Sequence, residues 1–124
     1  MKLKELEELR EAIEADDLVK VLDAFCDLQY VLSHGILSFG LGKLFSEAFE
    51  EVQRSNMSKA CENKQVAQET IEYRLEKKGE KAYMEFDKVS GKYLVKREED
   101  GKIMKSINYS PADLQKFINE ESKV

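Results

Sequence analysis

The chain has 124 residues, of which 42% are hydrophobic, and this size and composition fit one compact domain. Acidic residues outnumber basic ones by 25 to 20, so the net charge is -5 at pH 7 and no basic field is available to attract a nucleic acid polymer. The two cysteines lie in segments predicted to be helical and the sequence opens without an apolar signal core, so we expect a reducing, cytoplasmic location.

Two helices are predicted at the start of the chain. Leucine and isoleucine recur at three- and four-residue steps from Leu3 to Ile13, which predicts an amphipathic helix that ends near Ala15. The dipeptide Asp16-Asp17 supplies N-cap chemistry for a second helix that begins at Leu18. Because the connection is short, the two helices are expected to pack antiparallel.

The second helix is apolar around most of its circumference, a pattern that is typical of a buried helix. Its apolar run is interrupted by Lys20, Asp23, Asp27 and His34. A bilayer centre penalises each charge by roughly 2.5 to 3.5 kcal/mol, so we interpret the segment as a core helix and not as a membrane span.

Further elements follow a glycine-rich break at residues 40–42. Helical spacing resumes in a third helix up to about Arg54, and residues 65–77 predict a fourth, more polar helix that Gly79 stops. Residues 82–86 and 92–96 are β-prone runs around a glycine-containing turn, which predicts a hairpin.

The end of the chain completes the predicted fold. Ile103 and Met104 are candidates for a third strand. After Pro111, the run Ala112-Asp113-Leu114 opens a last short helix that continues through Ile118. The expected fold class is mainly α: an antiparallel helix bundle with a small C-terminal β-hairpin or sheet. We expect one domain, residues 1–124, in which residues 1–56 form the helical core that holds a metal site and residues 57–124 form a helix plus β-hairpin extension.

Paired carboxylates on the first two helices are the candidate metal ligands. Glu5 and Glu8 lie three residues apart and share one helix face, although two acids on a solvated face would show the same spacing. Asp23 and Asp27 lie one turn apart on the apolar helix, where a buried carboxylate needs a proton, a base such as Lys20, or a cation. We favour a divalent cation between the two helices, and a salt-bridged seam is the alternative.

The donor atoms indicate which metal is expected. Carboxylate oxygens suit Mg²⁺ or Mn²⁺, whereas zinc sites use histidine or cysteine. His34 is the single histidine, and we interpret it at most as a residue that contacts a metal ligand, not as a ligand itself. Cys26 and Cys61 are interpreted as buried small hydrophobic residues.

Several motifs together resemble a known family. They are an ExxE motif at residues 5–8, the segment DAFCDLQYV that begins at Asp23, the run SNMSK at residues 55–59 and a tail at residues 100–114. In order and separation they resemble the MazG-like and phosphoribosyl-ATP pyrophosphohydrolase-like group of all-α nucleoside triphosphate pyrophosphohydrolases.

The resemblance implies a reaction and a set of site residues. The reaction is magnesium-dependent hydrolysis of a nucleoside triphosphate, normal or modified, between its α and β phosphates, giving the monophosphate and pyrophosphate. The implied metal ligands are Glu5, Glu8, Asp23 and Asp27, with one of the two glutamates as an alternative general base. Asn56 and Lys59 would contact substrate phosphate or sugar.

The chain departs from the family pattern in two ways. Lys4 stands where the family often has the first acid of an EExxE motif, which removes one potential ligand. The family also usually has a helix before the ExxE helix, whereas this sequence begins almost on the motif. We therefore expect a homodimer or homotetramer in which a partner subunit covers exposed apolar surface, or a shortened protein with weak activity.

Two functions of other classes stay open at this point. One is a catalytically weakened, nucleotide-binding or regulatory helical dimer, which Lys4 and the short first segment would favour. The other is a structural helical interaction module, in which the acids take part in a subunit contact.

Overall fold

The computed structural model describes residues 4–118, which form four α-helices and a small three-stranded antiparallel sheet. In chain order the elements are α1 (Lys4–Glu14), α2 (Leu18–Ser38), α3 (Phe45–Met57), α4 (Lys64–Lys78), β1 (Ala82–Asp87), β2 (Lys92–Arg97), β3 (Ile103–Met104) and a 3-10 turn at Gln115–Phe117. The mainly α class is confirmed, while the antiparallel bundle arrangement stays a prediction.

Contacts within the chain define two compact units. The first includes α1, α2 and the connection up to Ser46, and the second is Glu47–Lys116. The single-domain organisation with a division near residue 56 stays a prediction, and each unit is described by itself below.

In the first unit, α1 and α2 pack against each other on either side of a tight connection. Asp16 has a φ of 53°, the left-handed conformation that commonly ends a helix. The Asp16 N–H donates to Ile13 O at 3.0 Å and the Asp17 N–H donates to Ala12 O at 3.1 Å. The Asp17 carboxylate then caps α2 by accepting from the Lys20 N–H at 3.2 Å, which confirms the predicted cap.

The prediction that α2 is buried is wrong for this chain. Within the described residues 4–118, Ala24 is the one residue of α2 that is buried, whereas Leu22, Phe25 and Leu32 are 63%, 54% and 60% exposed. The physical reason is that the 11-residue α1 packs along one side of the 21-residue α2 and leaves the other sides in contact with solvent. Cys26 also lies on an exposed side, so its predicted burial is wrong as well.

The core of the second unit lies between α4 and the sheet. Cys61, Ala67, Val95 and Met104 are buried together, and Cys61, as predicted, is a buried small residue. The backbone of Cys61 also pairs with Tyr93 as an isolated β-bridge. The core therefore joins the loop before α4, the helix itself and two strands.

The elements around this core follow the sequence prediction closely. Asn63 caps α4 by accepting from the Val66 N–H at 2.9 Å, and Gly79 ends it with a φ of 66°. The hairpin pairs β1 with β2 along their full length, and β3 adds to β2, so the third strand is confirmed.

A last helix is predicted from Ala112 through Ile118, but the structure has only a 3-10 turn at Gln115–Phe117 in this range. Backbone groups of the predicted first turn make tertiary hydrogen bonds instead. The Asp113 N–H donates to Glu51 Oε2 at 2.8 Å, and Arg54 Nη2 donates to Pro111 O at 3.2 Å. These bonds hold the segment, which has no regular secondary structure before Gln115.

Within residues 4–118, none of the helices combines the length and the apolar character that a bilayer span requires.

Candidate functional site

A pocket of about 370 Å³ lies in the first unit, between the C-terminal half of α1 and the N-terminal half of α2. Four charged side chains, Glu8, Glu11, Lys20 and Asp23, line it together with three alanines. Two of those alanines, one on each helix, are each 4% exposed. Because these contact residues are small, the helices approach closely and the carboxylates at the pocket rim belong to both helices.

Of the four predicted metal ligands, the structure brings Glu8 and Asp23 to this pocket. Glu5 lies one turn before Glu8 on α1, and Asp27 lies one turn after Asp23 on α2; neither lines the pocket. Counted from Asp16, these two outer acids lie equally far along their helices, eleven residues away on either side. Glu5 and Asp27 thus lie on the same helix faces as Glu8 and Asp23, one turn further from the connection.

The burial argument for a cation at Asp23 and Asp27 is wrong, because both side chains are exposed to solvent. Their carboxylates make neither a hydrogen bond nor an ion pair with any other residue of the described part, residues 4–118, and the Lys20 ammonium forms no ion pair there either. Asp23 and Asp27 therefore form no salt bridge within that range, and a salt-bridged contact with a partner subunit stays a prediction. Two solvated carboxylates need no compensating charge, so the argument for a metal now depends on Asp23 and Glu8, which share one pocket.

Lys4 bears directly on the first acidic motif. Its Nζ lies 3.9 Å from Glu8 Oε1, and the two side chains are 75% and 46% exposed. A cation bound by Glu8 would displace this ammonium or share the carboxylate with it.

The number and type of the donor atoms decide which kind of metal site these residues fit. Between residues 4 and 118, no group of three or more histidine, cysteine, aspartate or glutamate side chains is close enough to hold an ion alone. Mg²⁺ commonly uses one or two carboxylates and completes its shell with water and substrate phosphates. Glu8 and Asp23 fit a site of that kind, and they do not fit a closed, all-protein site.

The other two predicted site residues lie in the second unit. Asn56 is in the last turn of α3 and is exposed, and Lys59, which follows the helix, is half-buried. Neither side chain makes an ion pair or hydrogen bond with the rest of the described chain. Both remain available to a ligand, and their role as substrate contacts stays a prediction.

The serines of the SNMSK run have a role that the sequence did not indicate. Ser58 Oγ donates to Ser55 O at 2.6 Å and accepts from the Ser110 N–H at 2.9 Å, while Ser55 Oγ donates to Tyr109 Oη at 3.5 Å. The run therefore fixes the segment around residues 106–110 against the end of α3.

A charge network beside this segment was also missed. Glu51 is 8% exposed and accepts two hydrogen bonds from Arg54, at 2.7 and 2.8 Å, besides the bond from the Asp113 N–H. The Arg54 hydrogen bonds, followed by the Asp113 N–H, lower the pKa of Glu51 from 4.5 to about 2 despite the opposing effect of burial. The i,i+3 spacing of Glu51 and Arg54 was the available signal, but it does not reveal the long-range partner.

Comparison with protein families supports the resemblance for the motifs within residues 1–56, whereas residues 57–59 of the SNMSK run and the tail at residues 100–114 lie outside the match. No curated protein and no solved structure gives a significant match. The family that does match indicates one activity class, the pyrophosphohydrolases that act on nucleotide triphosphates. The first 56 of the 124 residues, which carry all four acids and Asn56, match the phosphoribosyl-ATP pyrophosphohydrolase family model, in the MazG-like superfamily.

Proposed function

We propose that this chain is a magnesium-dependent nucleoside triphosphate pyrophosphohydrolase, which hydrolyses the bond between the α and β phosphates and releases the monophosphate and pyrophosphate. The observation that carries the proposal is the pocket where Glu8 and Asp23 meet, within the segment that matches the pyrophosphohydrolase family. Manganese would serve as an alternative ion, because it has the same preference for oxygen ligands.

The acids of the first unit are proposed to hold the ion and the attacking water. When bound, Mg²⁺ neutralises phosphate charge and lowers the pKa of a water molecule. Glu8 and Asp23 would be inner ligands, and Glu5 and Asp27 would extend the site along the same strip of the two helices. Glu5 or Glu8 would accept the proton of the attacking water.

Basic residues are needed for the phosphates that the ion does not contact. Lys20 lines the pocket beside Asp23 and has no ion-pair partner within the described residues 4–118, so its ammonium is available as a point charge for a phosphate. Lys59 and Asn56 are proposed as further contacts to phosphate or sugar. Their contribution is testable independently of the acids, because they lie outside the pocket.

A second copy of the chain is proposed to cover the exposed face of α2, giving a homodimer or homotetramer. The support is the apolar surface itself, since Leu22, Phe25 and Leu32 are all more than half exposed. Contiguous apolar surface of this kind commonly marks an interface, and closed homo-oligomers are the usual outcome. Light scattering across a concentration series should show a mass above that of the monomer, and Phe25→Glu should lower it.

The function is tested by following pyrophosphate release from a panel of nucleoside triphosphates with Mg²⁺ or Mn²⁺. Glu8→Gln, Asp23→Asn and Asp27→Asn should each reduce kcat, and loss of a general base alone is worth about 10²- to 10⁴-fold. Glu76→Gln is the matched control, because Glu76 is an exposed helical glutamate of the second unit. A folded wild-type sample that releases no pyrophosphate with either metal would refute the proposal.

A nucleotide-binding regulatory protein with weakened catalysis is the second candidate. It is favoured by the Lys4 to Glu8 contact at 3.9 Å and by the lack of a three-ligand group within residues 4–118. Saturable binding of a triphosphate without turnover, unchanged by Glu8→Gln, would select this candidate over the enzyme.

A further inference from the structure

A second pocket, of about 600 Å³, lies wholly within the second unit. Glu69, Tyr73 and Arg74 of α4 form one wall, and the segment after β3, from Lys105 to Tyr109, forms the other. This volume is in the range of about 300 to 1,000 Å³ that is usual for small-molecule sites. None of the predicted metal ligands or substrate contacts lines it.

Hydrogen bonds fix the second wall in place. The Ile107 N–H donates to Thr70 Oγ1 at 3.2 Å, and the Ser106 N–H donates to Lys59 O at 2.9 Å. Thr70 is fully buried, and its hydroxyl also donates to Val66 O at 2.8 Å. The wall is therefore formed before any ligand binds, which reduces the entropy lost on binding.

The pocket combines positive charge with an aromatic surface. Lys105 Nζ lies 4.6 Å from the centre of the Tyr109 ring, so one face of that ring is occupied by a cation. The hydrogen bond from Ser55, followed by the charges of Lys105, Lys59 and Arg54, lowers the pKa of Tyr109 although burial opposes it. Several cations thus raise the electrostatic potential at this side of the pocket.

Arg74 supplies a donor without a protein acceptor. One of its terminal nitrogens pairs with Glu80 at 3.5 Å, and the side chain is 18% exposed. Its Nε is buried and makes no hydrogen bond within residues 4–118. The Arg74 side chain lines the pocket, and within the described residues its positive charge is offset only by the long pair with Glu80, so it can attract an anion there.

We propose that this pocket is a binding site for a nucleoside monophosphate, with the phosphate held by Lys105 and Arg74 and the base stacked on Tyr73. Tyr73 is 44% exposed and therefore offers ring surface to a base. The carboxylate of Glu69 also lines the pocket and repels additional negative charge. The site therefore selects a monophosphate over a triphosphate. It needs no metal, and it does not depend on the activity proposed for the first unit.

The test is a titration of the ¹⁵N-labelled full chain with AMP in the presence of EDTA, followed by NMR. Saturable amide shifts are expected at Tyr73, Lys105 and Ile107, and not at Glu8 or Asp23. ATP, inorganic phosphate and adenosine should each bind these amides more weakly than AMP. EDTA separates this site from the proposed catalytic site, which requires a divalent cation.

Lys105→Gln and Tyr73→Leu should each weaken AMP binding about tenfold, through loss of a charged phosphate contact and of base stacking respectively. Lys102→Gln is the matched control, because Lys102 is an exposed lysine just before β3 that does not line the pocket, and it should leave the affinity unchanged. Absence of saturable shifts at these amides would overturn the proposal, as would an AMP affinity that neither substitution changes. Equal affinity for AMP and inorganic phosphate, or for AMP and adenosine, would also overturn it.

Discussion

Removing the positive charge of Lys4 should strengthen divalent-cation binding by the first unit. The Lys4 ammonium lies 3.9 Å from Glu8, which we propose as a metal ligand. With the side chains 75% and 46% exposed, the pair belongs to the class of solvent-exposed ion pairs, which contribute about 0.2 to 1 kcal/mol. Coulomb's law in water, at this separation, gives about 1 kcal/mol, the upper end of that range. Lys4→Gln should therefore increase the affinity for Mn²⁺ or Mg²⁺ by up to about fivefold.

The assay is a calorimetric titration of each protein with Mn²⁺ at low salt and again at about 1 M salt. At the higher concentration the Debye length is about 3 Å, so the difference between wild type and Lys4→Gln should largely disappear. Lys88→Gln, an exposed lysine in the hairpin turn of the second unit, controls for a change in net charge alone. An affinity that Lys4→Gln leaves unchanged or lowers would show that Glu8 does not bind the ion.

Three further predictions concern stability. Asp17→Ala removes the cap of α2 and should lower the free energy of unfolding by about 0.5 to 2 kcal/mol in urea denaturation; an unchanged midpoint would contradict the capping role. The pKa of Glu51 is lowered from 4.5 to about 2, first by its hydrogen bonds from Arg54, so its contribution to the free energy of unfolding is complete above pH 4.5 and is lost as the pH falls towards 2. Acid unfolding followed by circular dichroism should depend less steeply on pH in Glu51→Gln than in wild type. An identical transition would refute the linkage. Thr70→Val keeps the side-chain shape but leaves the Ile107 N–H unpaired, so thermal and urea unfolding should report a loss of about 1 to 3 kcal/mol, whereas wild-type stability would show that this bond is dispensable.

The local elements of this chain were largely predictable because their signals are short-range. The cap at Asp17, the left-handed end of α4 at Gly79 and the hairpin around Gly91 each depend on a few consecutive residues. The family resemblance was likewise carried by spacing, and the matching family model covers the segment that contains the four acids. The end of the chain was less predictable, because Asp113 bonds to Glu51, 62 residues away, and this bond replaces a helical turn.

The exposure of α2 could not be read from the sequence. The all-round apolarity of α2 predicts a buried helix, but burial depends on what packs against it, and α1 covers only one side. Consequently the charges of Asp23 and Asp27 are solvated, and the argument that they require a cation does not hold.

The sequence by itself determined where the four α-helices and the strands lie, how α1 passes into α2, and which acids share a helix face, since these properties follow from periodicity and capping among neighbouring residues. Only the tertiary structure decided that Glu8 and Asp23 share a pocket, that the serines of the SNMSK run hold the segment at residues 106–110, and that Arg74 and Lys105 border one cavity. Those pairs are separated by many residues, and their approach is set by packing, which local sequence patterns do not specify.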